Sequence, residues 1–351
     1  MTMTSVALRE SESSLNAPGR TTDSSWSGRV YLPTFVLAGG AVWLLWIGIG
    51  TLVGSGRVGA VLAAGRAELV APLVVALVVA MLVCERCWPA ERRKVLARGV
   101  LHDAAFFVLH VVAVVPFMTL LGVAFAELMG SHARWINAPW TAAWPRWLLL
   151  TVTIILMDGC NWLAHWADHR ITALWRFHAL HHSQEELSVL TSFRAHPLSH
   201  LPGFFMATIP VVVLMGDRGM APLLITCYVC LGTLPHANVP WSFGPVGKVI
   251  VSPAYHRLHH SIDEPVGFNL GVVLTVWDML AGRARFPVKG APTCRTGLAG
   301  RPVPAEQATD DRWHPEVLLN QLVEPFGICS HSDVEQAPIA VTDPSRERAM
   351  V

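Results

Sequence analysis

The chain has 351 residues, of which 52% are apolar and only 15% are charged, and its net charge at pH 7 is +1. Charged residues make up about a quarter of an ordinary soluble domain, and disordered chains carry even more charge, so this composition excludes a disordered chain. The near-neutral balance also excludes a strongly basic nucleic-acid-binding protein, and we expect no nucleic-acid partner. The apolar residues come in long blocks, which indicates a membrane protein.

The first 146 residues divide into a tail and a set of membrane crossings. Residues 1–29 are rich in Ser, Thr and Arg, which predicts a flexible polar tail. Residues 30–146 form the predicted N-terminal transmembrane helices, with apolar runs at residues 32–53, 69–84 and 104–128. Pro116 lies inside the third run and predicts a kink there.

The distribution of basic residues predicts the orientation of these crossings. The basic loop at residues 85–94 is placed in the cytosol, because loops rich in Arg and Lys stay on that side. Residues 147–163 would then be a fourth crossing, which returns the chain to the cytosolic face. We therefore predict an all-α integral membrane protein with four or more transmembrane helices and with the chain after residue 163 on the cytosolic face.

The remaining chain divides into a predicted catalytic domain, residues 147–285, and a predicted cytosolic C-terminal tail, residues 286–351. Two apolar runs inside the domain, residues 201–215 and 220–234, are short for a straight crossing, and they predict a tight hairpin dipping into the membrane. One small amphipathic helix, at residues 317–326, is predicted in the tail.

Histidine is the unusual residue of this chain, with 16 copies, of which eleven lie between Leu163 and Ser261. Histidines spaced three and four residues apart on a helix share one face and can point at one metal. Imidazole suits Fe, Zn, Cu or Ni, and two metals need roughly eight to twelve donors. Nine clustered histidines supply candidate donors: His165, His169, His178, His181, His182, His236, His256, His259 and His260.

Other histidine-based sites are disfavoured by what the sequence lacks. No Glu-x-x-His pair of a carboxylate-bridged di-iron bundle occurs, and no His-Glu-x-x-His motif of a zinc protease. Neither a Gly-rich phosphate loop nor a motif of the nucleophilic hydrolases is present.

The pattern His-x3-His, His-x2-His-His, His-x2-His-His resembles the fatty acid hydroxylase/sterol desaturase superfamily of integral-membrane di-iron oxygenases. The similarity covers about residues 147–282 and includes Ser-Phe-Arg-Ala-His-Pro at residues 192–197, His-Ala-Asn-Val at 236–239 and Trp-Asp at 277–278. The resemblance implies that the nine histidines bind two Fe ions on a cytosolic cap above a lipid-entry tunnel.

Further polar residues are candidates for an additional ligand or for holding the ligands in place. His196 and His200 flank Pro197, which predicts a helix start with His196 at its cap. Carboxylates commonly fix metal-bound imidazoles by accepting their second N–H. The candidates of this kind, together with two amides, are Asp158, Asn161, Asp168, Asn269 and Asp278.

The resemblance implies hydroxylation of a lipid C–H bond with O2 and external electrons. The lipid could be a fatty acyl chain, a sterol or a related lipid, and desaturation to a C=C bond is the alternative within the superfamily. No fused electron-transfer motif occurs in the sequence, so an external ferredoxin or cytochrome b5 type donor with its reductase is expected. A membrane metal transporter is the alternative from another class, but transporter ligands lie at the bilayer midplane. The scarcity of Lys among the many Arg hints at a bacterial plasma membrane.

Overall fold

The computed structural model describes residues 72–93, 97, 99–132, 139–215, 222–263, 266–288, 293–298 and 315–326. Over these ranges the protein is all-helical, and its β-structure consists of two isolated antiparallel bridges, Ile250 with Leu274 and Ser261 with Thr296. The predicted all-α class is confirmed. The predicted tail and the predicted crossing at residues 32–53 lie outside the described residues.

Ten α-helices are present in the described ranges. In chain order they are α1 (Pro72–Cys87), α2 (Val100–Leu109), α3 (Val115–His132), α4 (Arg146–Arg170), α5 (Thr172–His182), α6 (His200–Pro210), α7 (Pro222–Thr233), α8 (Pro253–His259), α9 (Val276–Leu280) and α10 (Pro315–Val323).

Two helical runs in the described part are long and apolar enough to cross a bilayer, Arg146–Arg170 and Pro197–Met215. The second run begins four residues before the apolar stretch predicted from the sequence, because Pro197 opens a 3-10 turn that leads into α6. This extension gives it 19 residues, close to the length that a crossing needs. The larger number of crossings stays a prediction.

The predicted kink in the third apolar run coincides with an irregular turn. A π-helical turn at His110–Val114 separates α2 from α3, and the Val115 N–H donates to the His110 carbonyl five residues back. Pro116 follows at once and has no N–H to donate, so the regular pattern of helical hydrogen bonds cannot continue through this point.

The first helix packs against the loops that carry the histidines. Val78 and Met81 of α1 form one buried cluster with Val189, Phe193 and Val239. Each of these residues is less than a tenth exposed, so their contacts contribute the hydrophobic stabilisation that holds the loops in place. The core beside the histidines is therefore built from α1, the 3-10 turn at Val189–Phe193 and the segment that follows His236.

Charged side chains fix the same loops. The Glu85 carboxylate accepts hydrogen bonds from the backbone N–H groups of Val189 (2.7 Å) and Asn238 (3.0 Å). Glu91, in the basic loop, binds Arg257 at 2.8 Å. The predicted cytosolic loop at residues 85–94 thus turns part of its charge inward, onto the histidine-rich domain.

A second ion pair lies entirely in the interior. Asp103 of α2 and Arg194 are both fully buried and pair at 3.1 Å. Gln184 donates to the same carboxylate at 2.8 Å, and the Arg194 guanidinium also donates to Ser183 Oγ at 3.1 Å. Because a buried charge without a partner is costly, this network ties α2 to the segment that follows α5.

Candidate metal centre

The first two histidine groups meet because the chain reverses between α4 and α5. His165 and His169 lie four residues apart at the C-terminal end of α4. Ile171 is extended, with φ −101° and ψ 112°, and it ends α4 one residue before α5 begins. The short break folds α5 back onto α4, so the histidines of α5 face those of α4.

The third group comes from α8, whose N-terminus is capped. Ser252 Oγ accepts the Tyr255 N–H at 3.2 Å, and Pro253 occupies the first turn, where its missing N–H costs nothing. The helix is only seven residues long, and its last turn and cap carry all three histidines of the group. His236 reaches the same place from a 3-10 turn, Leu234–His236.

The nine predicted donors separate into two clusters. Within each cluster, the candidate ligand atoms all lie within 4.8 Å of one another. The five-histidine cluster consists of His165, His169, His178, His182 and His259, and the four-histidine cluster of His181, His236, His256 and His260. The clusters are adjacent, since the rings of His182 and His260 stack with centroids 4.4 Å apart.

Ring nitrogens converge in both clusters. In the four-histidine cluster, His236 Nε2 lies 3.0 Å from both His181 Nε2 and His256 Nε2. In the five-histidine cluster, His182 Nε2 lies 3.2 Å from His178 Nε2. Several converging imidazole nitrogens satisfy one another poorly, whereas one bound cation satisfies all of them.

The imidazoles are in the state that metal binding requires. Burial, with a smaller contribution from neighbouring imidazoles, lowers the pKa of His182, His256 and His260 well below its usual value. Burial lowers the pKa of His181 to about 3. Neutral imidazoles keep a free lone pair at pH 7, so they are ready to bind a metal without first losing a proton.

Unpartnered buried nitrogens also fit a metal. His165 Nε2, His169 Nε2 and His259 Nε2 are buried and have no hydrogen-bond partner among the described residues. A buried polar atom without a partner costs roughly 1–3 kcal/mol, and a cation in the five-histidine cluster would remove that cost. The donor set, imidazole alone, suits iron and its neighbours in the first transition row.

Three candidate ligands are oriented through their other ring nitrogen. His165 Nδ1 donates to the Leu270 carbonyl at 2.8 Å, and His259 Nδ1 donates to the Phe268 carbonyl at 2.9 Å. His236 Nδ1 lies 2.8 Å from Ser192 Oγ. Such contacts fix the tautomer that leaves Nε2 free for the metal.

Asp278 holds the loop that orients His165. Its buried carboxylate accepts four hydrogen bonds, from Trp162 Nε1 (2.8 Å), Tyr255 Oη (2.9 Å), Leu270 N (2.9 Å) and Gly271 N (2.8 Å). Since Leu270 presents its carbonyl to His165, Asp278 acts on the five-histidine cluster through one peptide group. Asp278 belongs to neither histidine cluster, and its four donors are all protein groups.

Asp158 of α4 also holds a loop through four hydrogen bonds. Its carboxylate accepts from Val273 N (3.1 Å), Leu274 N (3.1 Å), Trp277 Nε1 (3.0 Å) and Tyr228 Oη (3.0 Å). The predicted partner for this polar group in an apolar helix is thus a complete set of four donors.

The other predicted polar residues have separate positions. Asn161 donates to Tyr228 Oη at 3.0 Å. Asn269 is in the left-handed region, with φ 55°, and its amide bonds the backbone of Tyr255 and Arg285, so it shapes the loop. Asp168 lies closer to the metal centre, with Oδ2 3.9 Å from His178 Nδ1.

His196 and His200 lie outside both clusters. His196 caps the turn at Pro197, with Nδ1 accepting from Leu198 N at 3.1 Å and Nε2 donating to the Leu322 carbonyl at 3.0 Å. His200 packs edge-on against His110, with ring centroids 5.0 Å apart. The predicted amphipathic helix in the tail appears as α10 and supplies the Leu322 contact.

Five of the nine clustered histidines, together with His200, line a cavity of about 330 Å³. Small residues form much of the remaining wall, among them Ala164, Ala195, Gly203, Gly232 and Gly271. Both clusters reach the cavity, through His165 and His178 of one and His181, His236 and His256 of the other. A molecule in this space would contact both clusters.

Sequence reasoning missed the backbone carbonyls of Phe268 and Leu270, the Ser192 hydroxyl, and the two tyrosines that bond the carboxylates. Ser192 lies in the segment whose resemblance had been noted, so its position was a usable signal. Carbonyl groups give no signal in a sequence, because every residue has one.

Comparison with known proteins agrees with this geometry. Residues 150–283 match the sequence model of the fatty acid hydroxylase family. An ornithine lipid hydroxylase of Rhizobium tropici, OlsE, is 31% identical over 163 residues, which cover 46% of this chain and 49% of the relative. The alkylglycerol monooxygenase of Homo sapiens is 24% identical over 155 residues, 42% of this chain and 32% of the relative.

A fatty acid hydroxylase of Lecanicillium sp, vlmA, is 25% identical over 167 residues, 42% of this chain and 45% of the relative. The chain therefore spans about half, or less, of the length of the curated relatives it matches. No solved structure matches.

Proposed function

We propose, from the match of residues 150–283 to the fatty acid hydroxylase family, that this protein is a membrane-bound, non-haem di-iron oxygenase that hydroxylates a lipid C–H bond. The resemblance to the fatty acid hydroxylase/sterol desaturase superfamily is confirmed for this part of the chain. One observation carries the proposal: five and four buried imidazoles converge in two adjacent clusters beside one cavity.

Two iron ions are the cofactors of this proposal, one in each cluster. Iron supplies the activation of O2, which the side chains in the cavity wall cannot perform by themselves. The histidines hold the metals, and the Leu270 and Phe268 carbonyls and the Ser192 hydroxyl fix the ring orientations. The remaining small and apolar wall residues admit a substrate chain and exclude water.

The substrate is a lipid that enters from the membrane. The relatives are named for ornithine lipid, alkylglycerol and fatty acid. Fatty acyl chains, sterols and related lipids remain the proposed classes, with O2 as co-substrate. Electrons come from an external ferredoxin or cytochrome b5 type donor with its reductase, because the sequence carries no motif for such a group.

The proposed location is a membrane, with the histidines on its cytosolic side. α4 and the run Pro197–Met215 are the proposed anchors within the described residues, with the histidines facing the cytosol. In this arrangement residues 1–29 are a tail, residues 30–146 the N-terminal helices, residues 147–285 the catalytic domain and residues 286–351 the cytosolic tail. A bacterial plasma membrane is the proposed compartment.

Reaction with isotopically labelled O2 tests the function directly. Full-length protein in lipid nanodiscs, with iron, a chemical reductant and total bacterial lipid, should yield a lipid that has gained one labelled oxygen atom. The purified protein should contain about two irons per chain. A product that has lost two hydrogens and gained no label would indicate desaturation instead, and a purified protein that transports metal without lipid turnover would contradict both.

A further inference from the structure

Two short segments near the third histidine group form one structural unit, which we call the tip: residues 244–250 and residues 272–281. An antiparallel bridge joins Ile250 to Leu274. The Thr275 N–H donates to the Val249 carbonyl at 3.0 Å, and its hydroxyl donates to the Lys248 carbonyl at 2.6 Å. The tip is therefore held together by its own backbone.

The tip is anchored to the side of α4. Asp158 accepts hydrogen bonds from Val273 N and Leu274 N, and Trp277 packs so closely on Gly159 that a Cβ there would lie 2.9 Å from the ring. Asp158 precedes His165 by seven residues, which is about 10 Å along the helix axis. The tip thus lies beside the apolar part of α4, below the level of the metal centre.

The outer surface of the tip is apolar. Val246 is 55% exposed, Val249 is 56% exposed and Leu280 is 76% exposed, and Met279 is exposed beside them. Such a concentration of large exposed side chains is a surface that water covers poorly. Leu156 of α4, the helix that carries Asp158, is exposed as well.

Charge on the tip has one sign. Lys248 is exposed, and the only acidic residue in the two segments, Asp278, is fully buried with its carboxylate saturated by four donors. An apolar surface bearing a cation and no exposed acid complements the headgroup region of an anionic bilayer. The Asp158 carboxylate and the bridge satisfy the amides of residues 273–275, which precede α9, as a membrane environment demands.

We propose that the tip is a second membrane-binding element, which inserts Val246, Val249 and Leu280 into the bilayer surface without crossing it, while Lys248 pairs with anionic headgroups. This inference rests on the proposed membrane placement of α4. Val272, at the base of the tip, also lines the cavity. The segment therefore has one side toward the bilayer and the other toward the proposed substrate space.

Site-specific photocrosslinking in nanodiscs of phosphatidylcholine and phosphatidylglycerol tests the proposal. Benzoylphenylalanine is placed singly in the full chain at Leu280 or Val249, and adducts are identified by mass spectrometry. Leu156 on the apolar face of α4 is the positive control. Ile171 is the matched negative control, because it is also apolar and 50% exposed but lies about 20 Å further along α4 than Asp158.

We expect lipid adducts at positions 280, 249 and 156 and none at 171. Adducts at 156 alone, or crosslinks from 280 and 249 to a protein or a second copy, would overturn the proposal and leave the membrane placement of α4 intact. Failure at 156 as well would overturn that placement and the proposal together. Phosphatidylglycerol should be enriched about fivefold in the adducts at 280, and Lys248→Glu should abolish the enrichment. Equal adduct composition in the two proteins would contradict the role of Lys248.

Discussion

Replacing Asp278 by Asn perturbs the candidate metal centre while it leaves every candidate ligand in place. The carboxylate accepts four hydrogen bonds, two of them from the backbone of Leu270 and Gly271 and two from Trp162 and Tyr255. Asparagine has nearly the same size but only one acceptor oxygen. Its NH2 group would face two donors, which lose their acceptor.

The cost follows from the number of lost bonds. A hydrogen bond to a charged group contributes about 1.5–3 kcal/mol, so the loss of two costs roughly 3–6 kcal/mol locally. The Leu270 peptide is the mobile part, because Trp162 lies on α4 and Tyr255 on α8. A shift of that peptide releases His165 Nδ1 from its carbonyl acceptor. Loss of such an orienting partner lowers metal affinity by about 10- to 100-fold.

The assay is iron retention against a chelator, measured as iron per chain. In Asp278→Asn, the five-histidine cluster should release its iron at about 10- to 100-fold lower chelator concentration, while the four-histidine cluster retains its own. Asp263→Asn is the control, because Asp263 is exposed and its carboxylate pairs with Arg295 alone within the described residues, and its chelator profile should match the parent. Simultaneous loss of both irons, or an unchanged profile, would refute the orienting role.

Three further predictions concern the clusters and the fold. His259→Ala should empty the five-histidine cluster and reduce iron to about one per chain. His260→Ala should do the same by emptying the four-histidine cluster. A variant that still binds two irons with parental affinity would contradict the division into two clusters. Arg194→Met should destabilise the protein by about 3–5 kcal/mol in thermal unfolding, because Asp103 is left buried without its partner, and adding Asp103→Leu should recover most of the loss. Gly159→Ala should lower the unfolding free energy by about 1 kcal/mol, since overpacking against the facing indole outweighs the gain in helix propensity; a more stable variant would show that the contact is loose.

Histidine spacing predicted the identity of the clustered residues but did not divide them between two clusters. His178 and His182, four residues apart, fall in the five-histidine cluster, and His256 and His260 fall in the other. The residue between each pair goes to the opposite cluster, because a helix turns 100° per residue and separates the third position from the fourth. The i, i+4 rule therefore predicts which pairs stay together, but not which metal each pair serves.

The orienting groups could not be predicted in the same way. Asp158 was a candidate because a carboxylate in an apolar helix needs partners, yet its backbone donors lie 115 and 116 residues away. Asp278 follows a tryptophan in a segment with no regular repeat. Long-range pairing of this kind depends on the tertiary fold, about which local periodicity carries no information.

Membrane crossings illustrate a different limit. Hydropathy predicted a short run at residues 201–215, and the structure lengthens it to Pro197–Met215 because the turn at Pro197 continues into α6. A prediction from apolar composition alone leaves that first turn out of the crossing, because the turn contains polar residues. Helix ends depend on caps such as His196, so the length of a crossing is predicted less well than its existence.

The two clusters depend on different parts of the chain for their rigidity. In the five-histidine cluster, two rings are oriented by the carbonyls of Phe268 and Leu270. These two residues lie on either side of Asn269, which is in the left-handed region. One loop conformation therefore sets two ligands together, and Asp278 controls that loop. The four-histidine cluster instead takes the orientation of His236 from a side chain, Ser192. A change in the loop should thus weaken one metal site first, which makes sequential rather than simultaneous iron loss the signature of this architecture.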